Sequence, residues 1–242
     1  MPIAIHSHEP AWPPAPAPIA LGGMGAPRRL FTEASVVSYA PGQEVVGEGD
    51  PTENYFLVVR GVFRAVNVTR DGRRQIFAFY MPGDMCGLEP DDSHALTIEA
   101  VNNAAMATLS RPMCHARMNR DPEFNAAIFE NVTRALTHAV AHMTMVGRSS
   151  AEERLAWFLT MLSARGPGRR AASIELTMQR QDIADYLGLT IETVSRTFTH
   201  LKARGLIALP TTRRIDVLSP DLLSRLASAD RDAPIREYRN LC

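Results

Sequence analysis

Glu192, Ser195 and Arg196 fall at i, i+3 and i+4 of a helix-like segment, so they share one face. Their chemistry complements the edges of nucleobases. A guanidinium bonds guanine O6 and N7 as a fork, a carboxylate accepts from cytosine N4, and a hydroxyl meets either kind of edge. Arg180, Gln181, Thr190 and Thr193 surround the trio with groups suited to phosphate oxygens. Such contacts position a helix on a duplex and carry little sequence information. Alone, Glu192 and Arg196 also have the spacing of a plain surface ion pair. The elements around them decide between the two.

Those elements are two helices joined by a tight turn, within RQDIADYLGLTIETVSRTFTHL at 180–201. Ala184 is small where the second helix crosses closely, and Gly188 supplies a turn with positive φ. Ile183, Leu187, Leu189 and Val194 make the joint core, which Phe198 and Leu201 extend. Thr197 is polar where a larger apolar residue would pack better. Thr177 is the expected N-cap of a helix running to Leu187, and the next helix runs from Thr190 or Ile191 to about Arg204. Apolar segments at 206–209 and 214–218 flank a turn at 210–213, which predicts a hairpin wing. An amphipathic helix at 151–164, with Leu155, Phe158, Leu159 and Leu162 on one face, precedes the pair and ends at Gly166-Pro167-Gly168. Residues 149–220 thus read as a winged helix-turn-helix that lays its second helix in the major groove.

Further upstream, Phe129, Val132, Leu136, Ala139, Met143 and Val146 recur at intervals of 3, 4, 3, 4 and 3. That is an a/d seam over about three heptads. It predicts a dimerisation helix at 119–148, although a helix packed on its own domain would show the same pattern. Residues 28–118 predict a β-roll, from short strands punctuated by Pro41-Gly42, Arg60-Gly61, Asp71-Gly72 and Pro82-Gly83-Asp84. The prolines between Pro10 and Pro18 predict a disordered leader at 1–27. Residues 221–242 are expected to be a C-terminal tail with one short helix at 222–226. The fold class is α+β.

Lysine plus arginine and aspartate plus glutamate both number 26 in the 242 residues, which excludes a polycation. The balance hides an asymmetry. Residues 147–219 hold eleven basic and seven acidic side chains, and residues 31–120 hold eight and eleven. A basic domain beside an acidic one fits salt-sensitive phosphate binding by the C-terminal part. Cys86, Cys114 and Cys242 include no CxxC pair, which argues against a disulfide framework or a local zinc site. No run approaches ~20 apolar residues, and no signal-peptide pattern opens the chain, so the cytoplasm is the expected compartment and no membrane partner is expected. An enzyme is not expected. No nucleophile motif or phosphate loop occurs, and the roll has no His-x-His with a following Glu of the kind cupin-like metal sites use.

The order of roll, long helix and winged helix-turn-helix resembles the CRP/FNR family of bacterial transcription regulators, over about residues 31–220. The motifs that carry the resemblance are Pro41-Gly42, Gly47-Glu48-Gly49-Asp50, Tyr55 through Gly61, Pro82-Gly83-Asp84 and Glu192-x-x-Ser195-Arg196. The stretch DIADYLGLTIETVSR at 182–196 is most similar to the FixK subgroup of the FNR branch. The resemblance implies a homodimer on double-stranded DNA at a TTGA…TCAA palindrome, with Glu192 and Arg196 at the G·C pair and Ser195 at a thymine. It implies contact with RNA polymerase and a role as activator in oxygen-responsive (microaerobic or anaerobic) gene control. CRP-type readers carry an arginine where this chain has Ile191. Isoleucine loses a guanine contact and offers an apolar one to a thymine methyl.

No cofactor, metal or small-molecule effector is expected. After Pro82-Gly83-Asp84 no arginine follows before Arg111, and Asp91-Asp92 would repel the phosphate of a cyclic nucleotide. The leader holds no cysteine for an iron–sulfur centre. The alternative is a haem- or ligand-gated sensor on the same scaffold, with His94, His115, His138, His142 or Pro2 as haem ligands. The histidines read more simply as packing or surface groups.

Overall fold

The computed structural model describes residues 34–165 and 173–228. The expected leader, Pro2, the break at 166–168 and Cys242 lie outside them. Eight antiparallel strands build the roll: β1 (Ser35–Tyr39), β2 (Glu44–Val46), β3 (Asn54–Arg60), β4 (Phe63–Val68), β5 (Arg74–Tyr80), β6 (Met85–Cys86), β7 (Thr97–Ala100) and β8 (Ala104–Ser110). They form two sheets, ordered β1-β8-β3-β6 and β2-β7-β4-β5. Alternation along β3 and β4 sends Phe56, Val58 and Phe63 between the sheets, onto Ile98, Ala100 and Met106. The other face of the first sheet presents Leu57, Met85, Ala107 and Leu109 to the helices that follow.

Those helices are α1 (Arg111–Met118) and α2 (Pro122–Arg148). Asp121 caps α2 by accepting from the Phe124 N–H at 3.0 Å, and Pro122 occupies the first turn, where its missing N–H costs nothing. Phe124 and Ile128 anchor the start of α2 on the roll. Beyond them one face of α2 is turned away from its own chain, so Phe129, Leu136 and Met143 are 72%, 63% and 65% exposed. Val132, Ala139 and Val140 are exposed beside them. Val146 is placed differently. It packs against the C-terminal core, close to Gly188.

The C-terminal region comprises α3 (Ala151–Arg165), β9 (Ser173–Glu175), α4 (Arg180–Leu187), α5 (Ile191–Ala203), β10 (Ile207–Ala208), β11 (Arg214–Val217) and α6 (Pro220–Ala227). The hairpin β10–β11 gains a third strand, β9, giving the order β10-β11-β9. α6 buries Leu223 and Ala227 against the core. It extends the folded part beyond the expected limit at 220, and residues 229–242 lie outside the described residues.

The largest core is shared between regions. Val62, Val66, Ile76, Phe79 and Met81 of the roll join Met145 of α2, then Leu155, Phe158 and Leu159 of α3 and Ile183, Tyr186 and Leu187 of α4. Phe79 lies 5.1 Å from the Tyr186 ring and 6.2 Å from that of Phe158. No helix among the described residues is long and apolar enough to cross a membrane.

Candidate nucleic-acid interface

Two helices and one turn set the site. α4 does not use Thr177 as its cap. It begins at Arg180, where Asp182 reaches back to accept from the Gln179 N–H at 3.1 Å. Thr177 lies two residues too early to reach that first turn. α4 stops at Gly188, whose φ of 62° puts it in the left-handed region. Arg154 of α3 seals this turn, donating to the carbonyls of Leu187 at 2.9 Å and Gly188 at 3.3 Å. α5 then starts on Thr190, whose hydroxyl accepts from the Thr193 N–H at 3.2 Å.

α5 buries Val194, Thr197, Phe198 and Leu201. Thr197 satisfies its hydroxyl by donating to the Thr193 carbonyl at 2.7 Å, so a polar side chain sits in the joint without an orphaned group. The opposite face carries Ile191, Glu192, Ser195 and Arg196, all exposed. The Glu192 carboxyl is held below its ordinary range, first by its own backbone N–H, then by the Thr190 hydroxyl, with a smaller effect from the Arg196 charge. Ser195 donates to the Ile191 carbonyl at 2.9 Å and keeps its lone pairs outward. Among the described residues Arg196 has a single hydrogen-bond partner, the Thr193 hydroxyl at 3.5 Å. The guanidinium can therefore reach a base edge without first breaking an ion pair.

The four expected phosphate-binding side chains are less alike. Thr190 and Thr193 stand at the N-terminus of α5, hydroxyl to hydroxyl at 3.1 Å. Gln181 is exposed but donates to Asp185 at 2.6 Å. The guanidinium of Arg180 lies over the Phe198 ring, 3.4 Å from its centre, and donates to the Thr212 carbonyl at 3.3 Å. Burial pushes its pKa down to about 10. Arg180 thus joins α4 to α5 and the wing, which residue type and position alone did not indicate.

Further contacts escaped the sequence reading because the partners are far away in the chain. Glu152 pairs with His200 and, at 2.6 Å, with Arg204, tying the start of α3 to the end of α5. His142 of α2 stacks on Tyr186 at 4.1 Å between ring centres and bonds the Tyr186 carbonyl at 2.8 Å. His138 lies against Trp157, with ring centres 5.6 Å apart, and His115 bonds the Tyr55 hydroxyl. His94 is buried beside Glu89 in the roll. His138 and His142 share the Trp157 ring, while His94 and His115 lie apart from them in the roll and on α1. Among the described residues no three His, Cys, Asp or Glu side chains form a metal-holding group. Arg111 reaches into the segment after Pro82-Gly83-Asp84 and donates to the carbonyls of Gly87 and Glu89 at 2.9 and 2.6 Å. Cys86 and Cys114 are buried thiols, both with pKa raised by burial.

Known proteins share this arrangement. Residues 153–226 match the family model of a Crp-like helix-turn-helix domain, and residues 36–121 match that of a cyclic nucleotide-binding domain. The chain is 40% identical over 193 residues to the nitrogen fixation regulation protein FixK of Azorhizobium caulinodans, covering 78% of each. It is also 40% identical to FixK of Rhizobium meliloti, over 80% of this chain and 87% of that one. The solved structure of FixK2 from Bradyrhizobium japonicum superposes with a TM-score of 0.76 at 36% identity, over 81% of this chain and 98% of that one.

Proposed function

Because the chain belongs to the CRP/FNR family of transcription regulators, with FixK proteins among its relatives, we propose that it is a FixK-like activator that binds a TTGA…TCAA palindrome as a homodimer. The observation that carries this reading is the outward face of α5. Glu192, Ser195 and Arg196 stand together in solvent while the other side of the helix is locked into the core. In this reading Arg196 and Glu192 take the G·C pair of each half-site, and Ser195 and Ile191 take neighbouring thymines. Thr190, Thr193 and Gln181 hold phosphates, and Arg180 stiffens the unit that presents them. The exposed stripe of Phe129, Val132, Leu136, Ala139 and Met143 is the dimer seam, with Val140 widening it and Val146 leaving it for the core.

The protein acts in the cytoplasm, contacts RNA polymerase, serves oxygen-responsive gene control and needs no small-molecule effector. The geometry around Gly87 and Glu89 supports the last point. Arg111, the first arginine after Pro82-Gly83-Asp84, is turned inward onto the Gly87 and Glu89 carbonyls, and the segment before it holds no other arginine to offer a phosphate.

The test is a fluorescence-anisotropy titration of the purified, ligand-free protein against a TTGA-N6-TCAA duplex, with TGTGA-N6-TCACA as control. Tight, salt-sensitive binding to the first alone is expected. Failure on both duplexes, with binding restored by haem or another added ligand, would favour the gated sensor.

A further inference from the structure

Away from the reading face, a dense charged cluster lies where the roll meets α4. Arg64 on β4 and Arg74 on β5 both donate to Asp182 Oδ1, at 2.8 and 2.9 Å. Arg74 also reaches Asp185 Oδ2 at 2.8 Å. Glu99 on β7 backs the two arginines, accepting from Arg64 at 2.7 Å and Arg74 at 3.3 Å. Gln75 donates to the Asp185 carbonyl at 2.7 Å. The Asp182 and Asp185 side chains are only 5% and 9% exposed.

Such groups add little net stability, since desolvation offsets much of their attraction. What they add is direction. The apolar contact of Phe79 with Tyr186 beneath them resists separation but does not fix a rotation. Four polar contacts from two strands to one helix do, with Glu99 on a third strand bracing the arginines. On its other side α4 is bonded by His142 of α2 through the Tyr186 carbonyl. α4 is thus gripped by both the roll and the long helix, and α5 moves with α4 across Gly188.

We propose that Arg64 and Arg74 are positioning residues for DNA binding: with Asp182 and Asp185 they hold the reading helix at a fixed angle to the dimer helix, so that two copies meet two half-sites without a bound ligand. The inference rests on α5 being the DNA reader. It explains how a roll can matter to a DNA-binding protein without a bound ligand. The roll is the bracket.

The test compares a TTGA-N6-TCAA duplex with a short duplex carrying a single TTGA half-site, titrated with the full chain and its Arg64→Gln/Arg74→Gln variant. The double variant leaves three carboxylates facing one another without a cation. Simultaneous engagement of two sites is lost when their geometry is not held. Palindrome affinity should therefore fall by about tenfold or more, while half-site affinity stays within about twofold. Gln75→Ala, which keeps every charge, should give a smaller loss confined to the palindrome, and Arg74→Lys should restore part of the preference. Equal losses on both duplexes would mean a general folding defect and overturn the proposal. Tighter palindrome binding would make the contact a restraint and overturn it as well. A wild-type chain that binds neither duplex until a ligand is added would overturn the proposal of ligand-free alignment, and one that binds neither under any condition would overturn the reading of α5 itself.

Discussion

Replacing Arg196 by alanine isolates the central contact of the proposed interface. The side chain is exposed and, among the described residues, hydrogen-bonds only Thr193, at the limit of hydrogen-bond distance. Its removal should change folding stability by no more than about 0.5 kcal/mol, as for exposed sites without special contacts. On DNA the consequence is larger. A bidentate arginine–guanine pair discriminates by ~1–3 kcal/mol, so each half-site should lose roughly 5- to 150-fold in preference. Two half-sites in one palindrome double the free energy, to about 2–6 kcal/mol. The assay is anisotropy on TTGA-N6-TCAA and on TTAA-N6-TTAA, each at several salt concentrations. Wild type should prefer the first strongly, and Arg196→Ala should bind the two alike. Arg196→Lys should keep the salt dependence but lose most of the preference, because ammonium lacks the planar fork. An Arg196→Ala protein that still prefers the guanine duplex refutes the reading. So does a uniform loss on both duplexes with the salt slope reduced by about 2, which is the signature of a phosphate contact in each half-site.

Four other outcomes follow from geometry already given. Leu136→Glu with Met143→Glu should leave the fold intact, because both sites are exposed in the single chain, and should give monomers in sedimentation equilibrium; a persisting dimer would disprove the seam. Tyr186→Phe should stabilise by about 1 kcal/mol in urea unfolding, since the buried hydroxyl has no hydrogen-bond partner among the described residues; a clear destabilisation would reveal one. Gly61→Ala should prevent the roll from folding, because φ is +77° and a new Cβ would come within 2.5 Å of that of Ala104; a soluble variant with unchanged Tm would contradict the packing. Burial, helped by the Arg165 charge and opposed by Asp84, pushes the pKa of His138 down to about 4, so the unfolded chain binds the extra proton first. Its contribution is complete above about pH 6.5 and shrinks as pH falls toward 4, by roughly 2 kcal/mol at pH 5. His138→Gln should flatten that acid limb in urea titrations at pH 7 and pH 5.

The fold was legible in the sequence where local rules and burial agree. Alternation in β3 and β4, turn glycines, and the apolar spacing of α3, α4 and α5 each specify an element, and the structure has them. That Glu192, Ser195 and Arg196 share one exposed face was legible for the same reason: a helical face is set by spacing alone. What stayed hidden needed partners distant in the chain. Nothing near Arg180 says that it lies on Phe198, and nothing near Asp182 marks it as a partner of Arg64, 118 positions away. The cap of α4 was misplaced to Thr177 because hydroxyl residues are the usual signal. Here an aspartate inside the first turn bonds back to Gln179. β9 was missed because three residues carry too little pattern to read, and pairing with β11 gives them their form.

The largest apolar cluster belongs to no single module. Ile76 and Phe79 come from the roll, Met145 from the long helix, and Ile183 and Tyr186 from the DNA-binding region. Sequence boundaries near 119 and 149 are therefore not seams along which the protein can be cut and rejoined. A graft of 149–228 onto another roll would carry half of an interior and expose the rest. Homologous exchange of reading heads between regulators of this build would have to take β4 and β5 along. Lineages should then inherit the roll and the winged helix as a unit.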